Sequence, residues 1–341
     1  MRAYCPGRVN LIGDHTDYNH GLALPMAIDL GTTVDWEWAQ GSAVVVHSDA
    51  EPDPAQVHIA VPLDHDVLAA VHPAWARLVA AVVAAVGPPG GGRGKVTTTL
   101  PVGAGLSSSA ALEVALALAL GVQAEGVTLA RICQRAEQAA TGVPTGIMDQ
   151  LVVASASAGS ALCIDFDDLT TRAVPVPEDL DVVVVHSGQR RLLAQTHYGT
   201  RVAECDMAAR LLGPLGRLDV DELHRIPDPV LRRRARHVVT ECDRVRWFCQ
   251  ALEAGDAVEA GRLMSASHRS LAVDFDVSTP VVDQLVEHLV ALPGVLGARL
   301  TGAGFGGCVV VLARAGSLEP ATLGAAAWKV RASAGAHLIE G

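Results

Sequence analysis

Three side chains that could bind a polyol or a metal ion lie within four residues near the start of the chain. The loop "GRVNLIGDHTDYNHG" (7–21) carries Asp14, His15 and Asp17 between glycines. Carboxylates accept hydrogen bonds and imidazole both donates and accepts them, so this set could bind the vicinal hydroxyls of a sugar. The same groups could ligate a metal ion, although no further His or Cys cluster supports a structural metal site. A solvated acidic turn is the third interpretation.

A second stretch has the composition of an anion-binding turn. In "PVGAGLSSSAALEVA" (101–115), a Gly-x-Gly turn leads into Ser107, Ser108 and Ser109 and then into an Ala/Leu-rich segment. Glycines let the backbone approach a ligand, and the free amides at a helix start favour an anion. The turn lacks the Gly-Lys-[ST] ending of a P-loop. A helix capped by Ser107 is the plainer alternative, but three hydroxyl residues exceed what a cap requires.

Two more stretches place candidate functional groups in turns. "GVPTGIMDQ" (142–150) carries one carboxylate, Asp149, after a proline and two glycines, and a bare surface aspartate is the alternative. "TGAGFGG" (301–307) matches G-x-G-x-x-G but runs into the apolar "CVVVLA", where a dinucleotide-binding fold requires a helix. We therefore interpret 301–307 as a turn between strands that brings backbone beside a phosphate or substrate, or as a tight hairpin turn.

Periodicity and turn residues predict the elements that position these groups. Predicted helices cover 74–87, 110–120, 128–142, 195–212, 230–254, 256–271 and 277–292, followed by a last helix near the C-terminus. Predicted strands cover 95–102, a strand pair at 161–166 and 181–187, and one strand on each side of 301–307. The Pro-containing stretch "RAVPVPEDLD" predicts a domain boundary near residue 175.

Length and composition narrow the class of protein. The 341 residues favour two domains, and 50% hydrophobic with 18% charged residues favours mixed α/β packing over disorder. A net charge of −11 disfavours binding to nucleic acid or anionic membranes. Seven scattered cysteines without C-x-x-C spacing indicate reduced thiols. With no leader and only short apolar runs, we expect a cytoplasmic protein.

Taken in order, these stretches resemble the GHMP-type small-molecule kinases and, within them, the galactokinase family. "GRVNLIGDHTDYNHGLALPMAID" resembles the galactokinase signature, and "PVGAGLSSSAALE" resembles the phosphate loop of the superfamily. "GVPTGIMDQ" is similar to the segment with the catalytic aspartate, and "TGAGFGGC" to the C-terminal glycine motif. The stretch 261–287 also resembles the C-terminal half of galactokinases, so the likeness covers nearly the whole chain.

The resemblance implies an α+β fold of two domains with the active site between them. Residues 1–175 would resemble the second domain of ribosomal protein S5, and residues 176–341 would be ferredoxin-like. The implied reaction is ATP-dependent phosphorylation of the anomeric hydroxyl of a sugar, with galactose expected. Asp149 corresponds to the base and Arg8 to its electrostatic partner. Expected sugar contacts are Asp14, His15, Asp17, Gly146 and Tyr198; expected ATP contacts are Gly103, Ala104, Gly105, Leu106, Ser107, Ser108 and Ser109; expected Mg²⁺ ligands are Ser109 and Glu137.

Three departures from the galactokinase pattern keep other acceptors open. Galactokinases usually carry Glu where this chain has Asp14, and Thr145 replaces the usual Cys. The chain also begins about where the signature begins and looks trimmed at its C-terminus, so we expect altered walls of the sugar pocket. Because position 14 is expected to meet the C6 hydroxyl, galacturonate, arabinose or a cyclitol are alternative acceptors.

Two other functions, a non-catalytic sensor and a decarboxylase, are compatible with the same fold. The oligomeric state is also left open. A non-catalytic sugar and ATP sensor is disfavoured because Arg8, Asp149 and the three serines are intact. A GHMP decarboxylase of isoprenoid synthesis is disfavoured by the sugar-type loop. The sequence is compatible with a monomer or a homodimer.

Overall fold

The computed structural model describes residues 1–101, 103–189 and 194–340, with the backbone alone for residues 194–196. The strands are β1 (Arg2–Asn10), β2 (Leu22–Ala23), β3 (Pro25–Trp38), β4 (Ala43–Ser48), β5 (Ala55–His58), β6 (Gly92–Thr98), β7 (Ser160–Asp165), β8 (Thr171–Pro175), β9 (Leu180–His186), β10 (Val295–Thr301), β11 (Cys308–Arg314), β12 (Ala327–Val330) and β13 (His337–Leu338). The helices are α1 (His65–Ala69), α2 (Ala76–Val86), α3 (Ser108–Ala119), α4 (Gly126–Thr141), α5 (Met148–Ser155), α6 (Ala194–Leu212), α7 (Pro229–Glu253), α8 (Ala257–Val273) and α9 (Pro280–Val290).

These strands form three sheets. The first has the order β13-β1-β3-β6-β4-β5 and is antiparallel except where β4 runs parallel to β6. The second has the order β10-β11-β9-β12 and is antiparallel throughout. The third consists of β2, β7 and β8. The two central strands of the second sheet, β9 and β11, carry long apolar runs and are buried over most of their length, with β11 buried from Cys308 to Ala313, as expected for strands covered on both faces.

Local sequence signals explain where several helices begin and end. The predicted helix at 277–292 is confirmed as α9, which has Pro280 at its first position and Thr279 accepting a hydrogen bond from the Val282 amide at 3.3 Å. α4 ends at Gly142, whose φ of 70° lies in the left-handed region that glycine tolerates. α3 is apolar on nearly all sides and is buried over most of its length. The predicted buried helix is therefore confirmed.

Two sequence-based expectations are wrong. The described residues 315–340 form no α-helix and contain only a three-residue 3-10 turn, Pro320–Thr322. Pro320 and Gly324 interrupt the segment, and Ala327–Val330 pairs with β9 as a strand instead. The strand pair expected at 161–166 and 181–187 does not form, because β7 pairs with β8 and β2 whereas β9 belongs to the second sheet. β8 overlaps the start of the stretch "RAVPVPEDLD" (172–181), which predicts a domain boundary near residue 175.

The end of the chain returns to the first sheet. β13 pairs with β1, and Ile28 forms an isolated bridge with Ala332. Residues 337–338 therefore extend the sheet built by the N-terminal residues, and the division into 1–175 and 176–341 stays a prediction. In the described part of the chain, no helix is both long and apolar enough to cross a bilayer.

Candidate active site

Three of the four stretches singled out in the sequence line one pocket of about 290 Å³, and the fourth, 101–115, reaches its wall through Ser107, which donates a hydrogen bond to Asp149. This volume is close to the lower end of the range of small-molecule sites, about 300–1,000 Å³. The opening loop follows β1, the Asp149 segment begins α5, and the glycine-rich turn joins β10 to β11. The pocket is lined by Arg8, Asp14, His15, Asp17, Glu137, Thr141, Val143, Thr145, Gly146, Met148, Asp149, Tyr198, Gly302 and Ala303.

Asp149 is held by two side chains from different elements. The Arg8 guanidinium donates from Nε to Oδ1 at 2.7 Å and from Nη2 to Oδ2 at 2.5 Å, a bidentate ion pair. The Ser107 hydroxyl donates to Oδ2 of the same carboxylate. Arg8 is 7% exposed and also donates from Nη1 to the Gly105 carbonyl at 2.7 Å. The carboxylate of Asp149 is thereby fixed in orientation at the wall of the pocket.

The predicted phosphate loop is a strained turn in front of α3. Gly103 and Gly105 both have φ of 77°, and Ser107 has φ of 59°. Ser107 occupies the N-cap position but makes no side-chain capping bond, so the capping alternative is wrong. The loop is bonded on two sides, because the Arg8 amide donates to the Leu106 carbonyl at 3.1 Å and Cys308 Sγ donates to the Ala104 carbonyl at 2.9 Å.

Glu137 lies beside the phosphate loop in a network of hydroxyl and amide donors. Its Oε1 accepts from Ser109 Oγ at 3.1 Å, and its Oε2 accepts from Thr145 Oγ1 at 2.9 Å and Gln150 Nε2 at 3.1 Å. Burial raises the pKa of this carboxyl above its usual range. No group of three or more His, Cys, Asp or Glu side chains within the described ranges is arranged to hold a metal ion.

Behind Glu137 lies a second acid that the sequence did not single out. The Gln150 amide that donates to Glu137 also donates to Glu113 Oε2 at 3.0 Å. Glu113 is fully buried on α3, and burial raises its pKa well above the usual range. The other carboxyl oxygen of Glu113 and the amide oxygen of Gln150 have no hydrogen-bond partner among the described residues. A single glutamate within the apolar run "ALEVALALAL" was the only signal available.

His15 is presented to the pocket as a neutral ring. Its φ of 65° places it in the left-handed region, and its Nδ1 lies 2.9 Å from the Tyr18 hydroxyl. The ring packs against Phe275 and Tyr198, with centroid distances of 4.5 and 5.8 Å. Burial lowers its pKa well below the usual value. Its Nε2 is buried and makes no hydrogen bond of ordinary geometry to a described residue, and the backbone of Ala303, which lines the pocket, acts on the pKa of the ring.

Asp17 and Gly146 fit together as a close pair. A Cβ atom added to Gly146 would lie 1.6 Å from Asp17 Oδ2, so position 146 must be glycine for the carboxylate to lie where it does. Burial, and secondarily the charge of Asp149, raises the pKa of Asp17 to about 7. Tyr198 closes this side of the pocket, with its ring centroid 5.6 Å from that of Tyr18.

Asp14 is tied to the C-terminal half of the chain. Its Oδ1 accepts from the Gly302 amide at 3.0 Å and its Oδ2 accepts from Arg299 Nη2 at 2.5 Å. Arg299 is fully buried and was not among the residues predicted for the site. The available signal was one arginine in the apolar strand "VLGARLT" directly before the glycine-rich turn. Glu241 strengthens the tie by accepting from the Gly13 amide at 3.0 Å.

Comparison with known proteins gives the family. The galactokinase galactose-binding signature matches residues 1–35, the GHMP kinase N-terminal domain matches 74–157, and the GHMP kinase C-terminal domain matches 249–327. The chain is 42% identical to the galactokinase of Homo sapiens over 324 residues, which cover 91% of this chain and 83% of that protein. It is 44% identical to the galactokinase of Roseiflexus sp. (strain RS-1) over 333 residues, covering 92% and 83% respectively. The crystal structure of Lactococcus lactis galactokinase complexed with galactose matches with a TM-score of 0.89 and 29% identity, covering 99% of this chain and 95% of that one.

Proposed function

Because this chain belongs to the galactokinase family of GHMP kinases, we propose that its pocket binds galactose and that the γ-phosphoryl group of ATP is transferred to the C1 hydroxyl. The reaction is the ATP-dependent formation of galactose 1-phosphate. The single observation that carries this proposal is the convergence of the Arg8–Asp149 pair and the opening loop on one pocket beside the phosphate loop.

The acceptor hydroxyl is aligned by Asp149. Phosphoryl transfer requires an in-line acceptor oxygen and neutralisation of charge on the transferred group. Asp149 accepts the hydrogen bond of the C1 hydroxyl and is positioned to receive its proton as the bond to phosphorus forms. Arg8 keeps the carboxylate oriented from the far side, since both of its contacts to Asp149 are charge-assisted.

The remaining hydroxyls of the sugar are recognised by the opening loop. His15 Nε2 and the carboxylate of Asp17 offer hydrogen-bond capacity to the pocket, and Gly146 leaves the space that Asp17 needs. The aromatic ring of Tyr198 forms part of the pocket wall. Asp14 contributes one side of the pocket, although its carboxylate already accepts bonds from Arg299 and Gly302.

The donor side is formed by the loop 103–109. Backbone amides at a helix start bind phosphate oxygens, and this loop precedes α3 with glycines that permit close approach. Mg²⁺ is typically bound by one or two protein oxygens together with substrate phosphates. Ser109 Oγ and Glu137 Oε1 are oxygens 3.1 Å apart beside the loop, so these two residues fit a Mg²⁺ ion and would hold it. When bound, the ion neutralises phosphate charge.

The state of the cysteines indicates the compartment in which the protein acts. The cysteines, Cys5, Cys133, Cys163, Cys205, Cys242, Cys249 and Cys308, are all free thiols. Free thiols are stable in a reducing compartment. We therefore expect the chain to act in the cytoplasm.

A screen of ADP release tests the function directly. The acceptors are galactose, glucose, arabinose, galacturonate, galactosamine and cyclitols, each with and without Mg²⁺. We expect Mg²⁺-dependent turnover with galactose and a phosphate on the anomeric carbon of the product, detected by phosphorus NMR. Turnover with galacturonate or arabinose in preference to galactose would reassign the acceptor, and no sugar-dependent turnover would overturn the proposed function.

A further inference from the structure

We infer that Ser107 is a positioning residue for Asp149, the catalytic carboxylate, and not a phosphate ligand. This inference rests on the proposed function, since it concerns how the acceptor hydroxyl is aligned. It departs from the expectation that all residues of the loop 103–109 contact ATP.

The backbone of Ser107 places its hydroxyl away from the helix it precedes. A serine at an N-cap normally adopts an extended conformation and accepts a hydrogen bond from an amide of the first turn. Ser107 instead has φ of 59° and ψ of 46° and makes no such bond. Residues other than glycine adopt this left-handed conformation only where the surrounding structure imposes it, and such strain clusters at functional sites.

The hydroxyl hydrogen of Ser107 is committed to Asp149. A serine hydroxyl has one hydrogen to donate, and here it is donated to Oδ2 of the Asp149 carboxylate. Phosphate oxygens at neutral pH are acceptors, so the same hydroxyl cannot serve a phosphate while it serves Asp149. Ser107 is 6% exposed, and it is not one of the residues that line the pocket. It therefore acts through Asp149 and not on the sugar.

The contacts of Asp149 show what this positioning achieves. Oδ2 accepts from both Ser107 and Arg8, whereas Oδ1 accepts from Arg8 alone among the described residues. Oδ1 consequently has the greater remaining capacity to accept a hydrogen bond. The two donors hold the carboxylate from the loop and from β1, which prevents rotation and leaves Oδ1 for the acceptor hydroxyl.

Two substitutions separate the loss of the hydroxyl from the loss of folding. Ser107→Gly removes the hydroxyl and relieves the left-handed strain, so its melting temperature should equal or exceed that of the parent. Ser107→Ala removes the hydroxyl but keeps the strain, so its melting temperature should be lower. Both variants should lose kcat by about 10- to 100-fold, the range expected for a misplaced reacting group. Their KM for ATP should stay within about twofold of the parent value. The Kd for nucleotide, measured in the absence of sugar, should also stay within about twofold of the parent value.

The neighbouring Ser108 provides the contrasting variant, and Asp149 provides the coupling test. Ser108 is half-buried at the first position of α3, so Ser108→Ala should raise the KM for ATP more than it lowers kcat. In an Asp149→Asn background, Ser107→Gly should change the residual kcat by less than about twofold, because the two residues act as one unit.

Different outcomes would overturn the inference and the proposed function. A weakened nucleotide Kd in Ser107→Gly with kcat near the parent value would identify Ser107 as a phosphate ligand and overturn the inference alone. Independent, multiplicative effects of Ser107→Gly and Asp149→Asn would also overturn it alone. Absence of sugar-dependent ADP release by the parent would overturn the proposed function, and the inference with it.

Discussion

Gly146→Ala is the substitution whose effect on sugar binding follows most directly from the geometry. The added Cβ atom would lie 1.6 Å from Asp17 Oδ2. Non-bonded carbon and oxygen atoms do not approach this closely, so the carboxylate must retreat by about 1.5 Å or more. Asp17 then loses the position from which we propose that it accepts a sugar hydroxyl.

The magnitude follows from the value of one hydrogen bond to a charged group. Such a bond contributes about 1.5–3 kcal/mol, and each 1.4 kcal/mol corresponds to about tenfold in affinity. Gly146→Ala should therefore raise the KM for galactose by about 10- to 150-fold. The three atoms nearest to a Cβ at position 146 all belong to Asp17, so the KM for ATP should change by less than about threefold.

The assay is steady-state ADP release with each substrate varied in turn, together with galactose binding by calorimetry. Gly90→Ala is the matched control, because a Cβ atom there meets nothing within 4 Å. Combining Gly146→Ala with Asp17→Ala should cost no more galactose affinity than Asp17→Ala alone. An unchanged galactose KM in folded Gly146→Ala would refute the role of Asp17, and an equal rise in both KM values would refute the local explanation.

Four more predictions concern the acidic side chains of the site. Asp149→Asn should reduce turnover to a small residual rate while leaving a folded protein, because the amide replaces one acceptor oxygen with a donor between Arg8 and Ser107; ADP release and circular dichroism measure this. Asp14→Glu should change acceptor preference more than maximal rate, since one methylene moves a buried carboxylate by about 1.5 Å; kcat/KM across the acceptor panel measures this. Because the pKa of Asp17 is raised to about 7, kcat/KM for galactose should rise as the pH increases through about 7, and Asp17→Asn should remove that limb of the pH profile. Burial raises the pKa of Glu113 in the folded chain well above its ordinary value, so the unfolded chain releases this proton at a lower pH than the folded chain does. The free energy of unfolding therefore falls as the pH rises between these two pKa values, and melting temperatures should show Glu113→Gln more stable than the parent at pH 8.

Each of these predictions has an outcome that contradicts it. Parent-like turnover of Asp149→Asn would reject Asp149 as the base. Equal effects of Asp14→Glu on every acceptor would remove position 14 from the specificity argument. A pH limb that persists in Asp17→Asn would belong to another group. A Glu113→Gln variant that is less stable than the parent at pH 8 would show that Glu113 is charged in the fold.

The elements were predictable from sequence where a local signal decided the structure. Pro280 and Thr279 define the start of α9, and Gly142 defines the end of α4. Strand partners were less accessible, because pairing depends on contacts between residues far apart in the chain. The segment after residue 314 shows why strand partners are hard to predict. The stretch "LGAAAWKV" has helix-favouring alanines, but Ala327–Val330 forms a strand because it pairs with the edge of β9.

The candidate site was predictable where the chemistry lies in one short stretch. The opening loop and the Asp149 segment carry their polar groups within a few residues, and both line the pocket. Arg299 and Glu113 were missed because each is a lone polar residue in an apolar element, and Gln150 was missed because it stands beside Asp149, the candidate acid of the same stretch. Their importance arises only from partners that are distant in sequence, such as Asp14 for Arg299. The role of the Ser107 hydroxyl also required the backbone conformation, which sequence does not report.

The charge balance of the site explains how an acidic protein can bind an anionic donor. Asp14, Asp17, Glu113 and Glu137 all have raised pKa values, with burial as the first cause in each case. The pKa of Asp17, raised to about 7, lies near neutral pH, so partial protonation of this carboxyl reduces the negative charge that the pocket presents to ATP. The net charge of −11 still disfavours phosphate, so binding must depend on short-range donors such as loop amides and a divalent cation. Salt should therefore affect the KM for ATP only weakly, because these donors act within a Debye length of the phosphates.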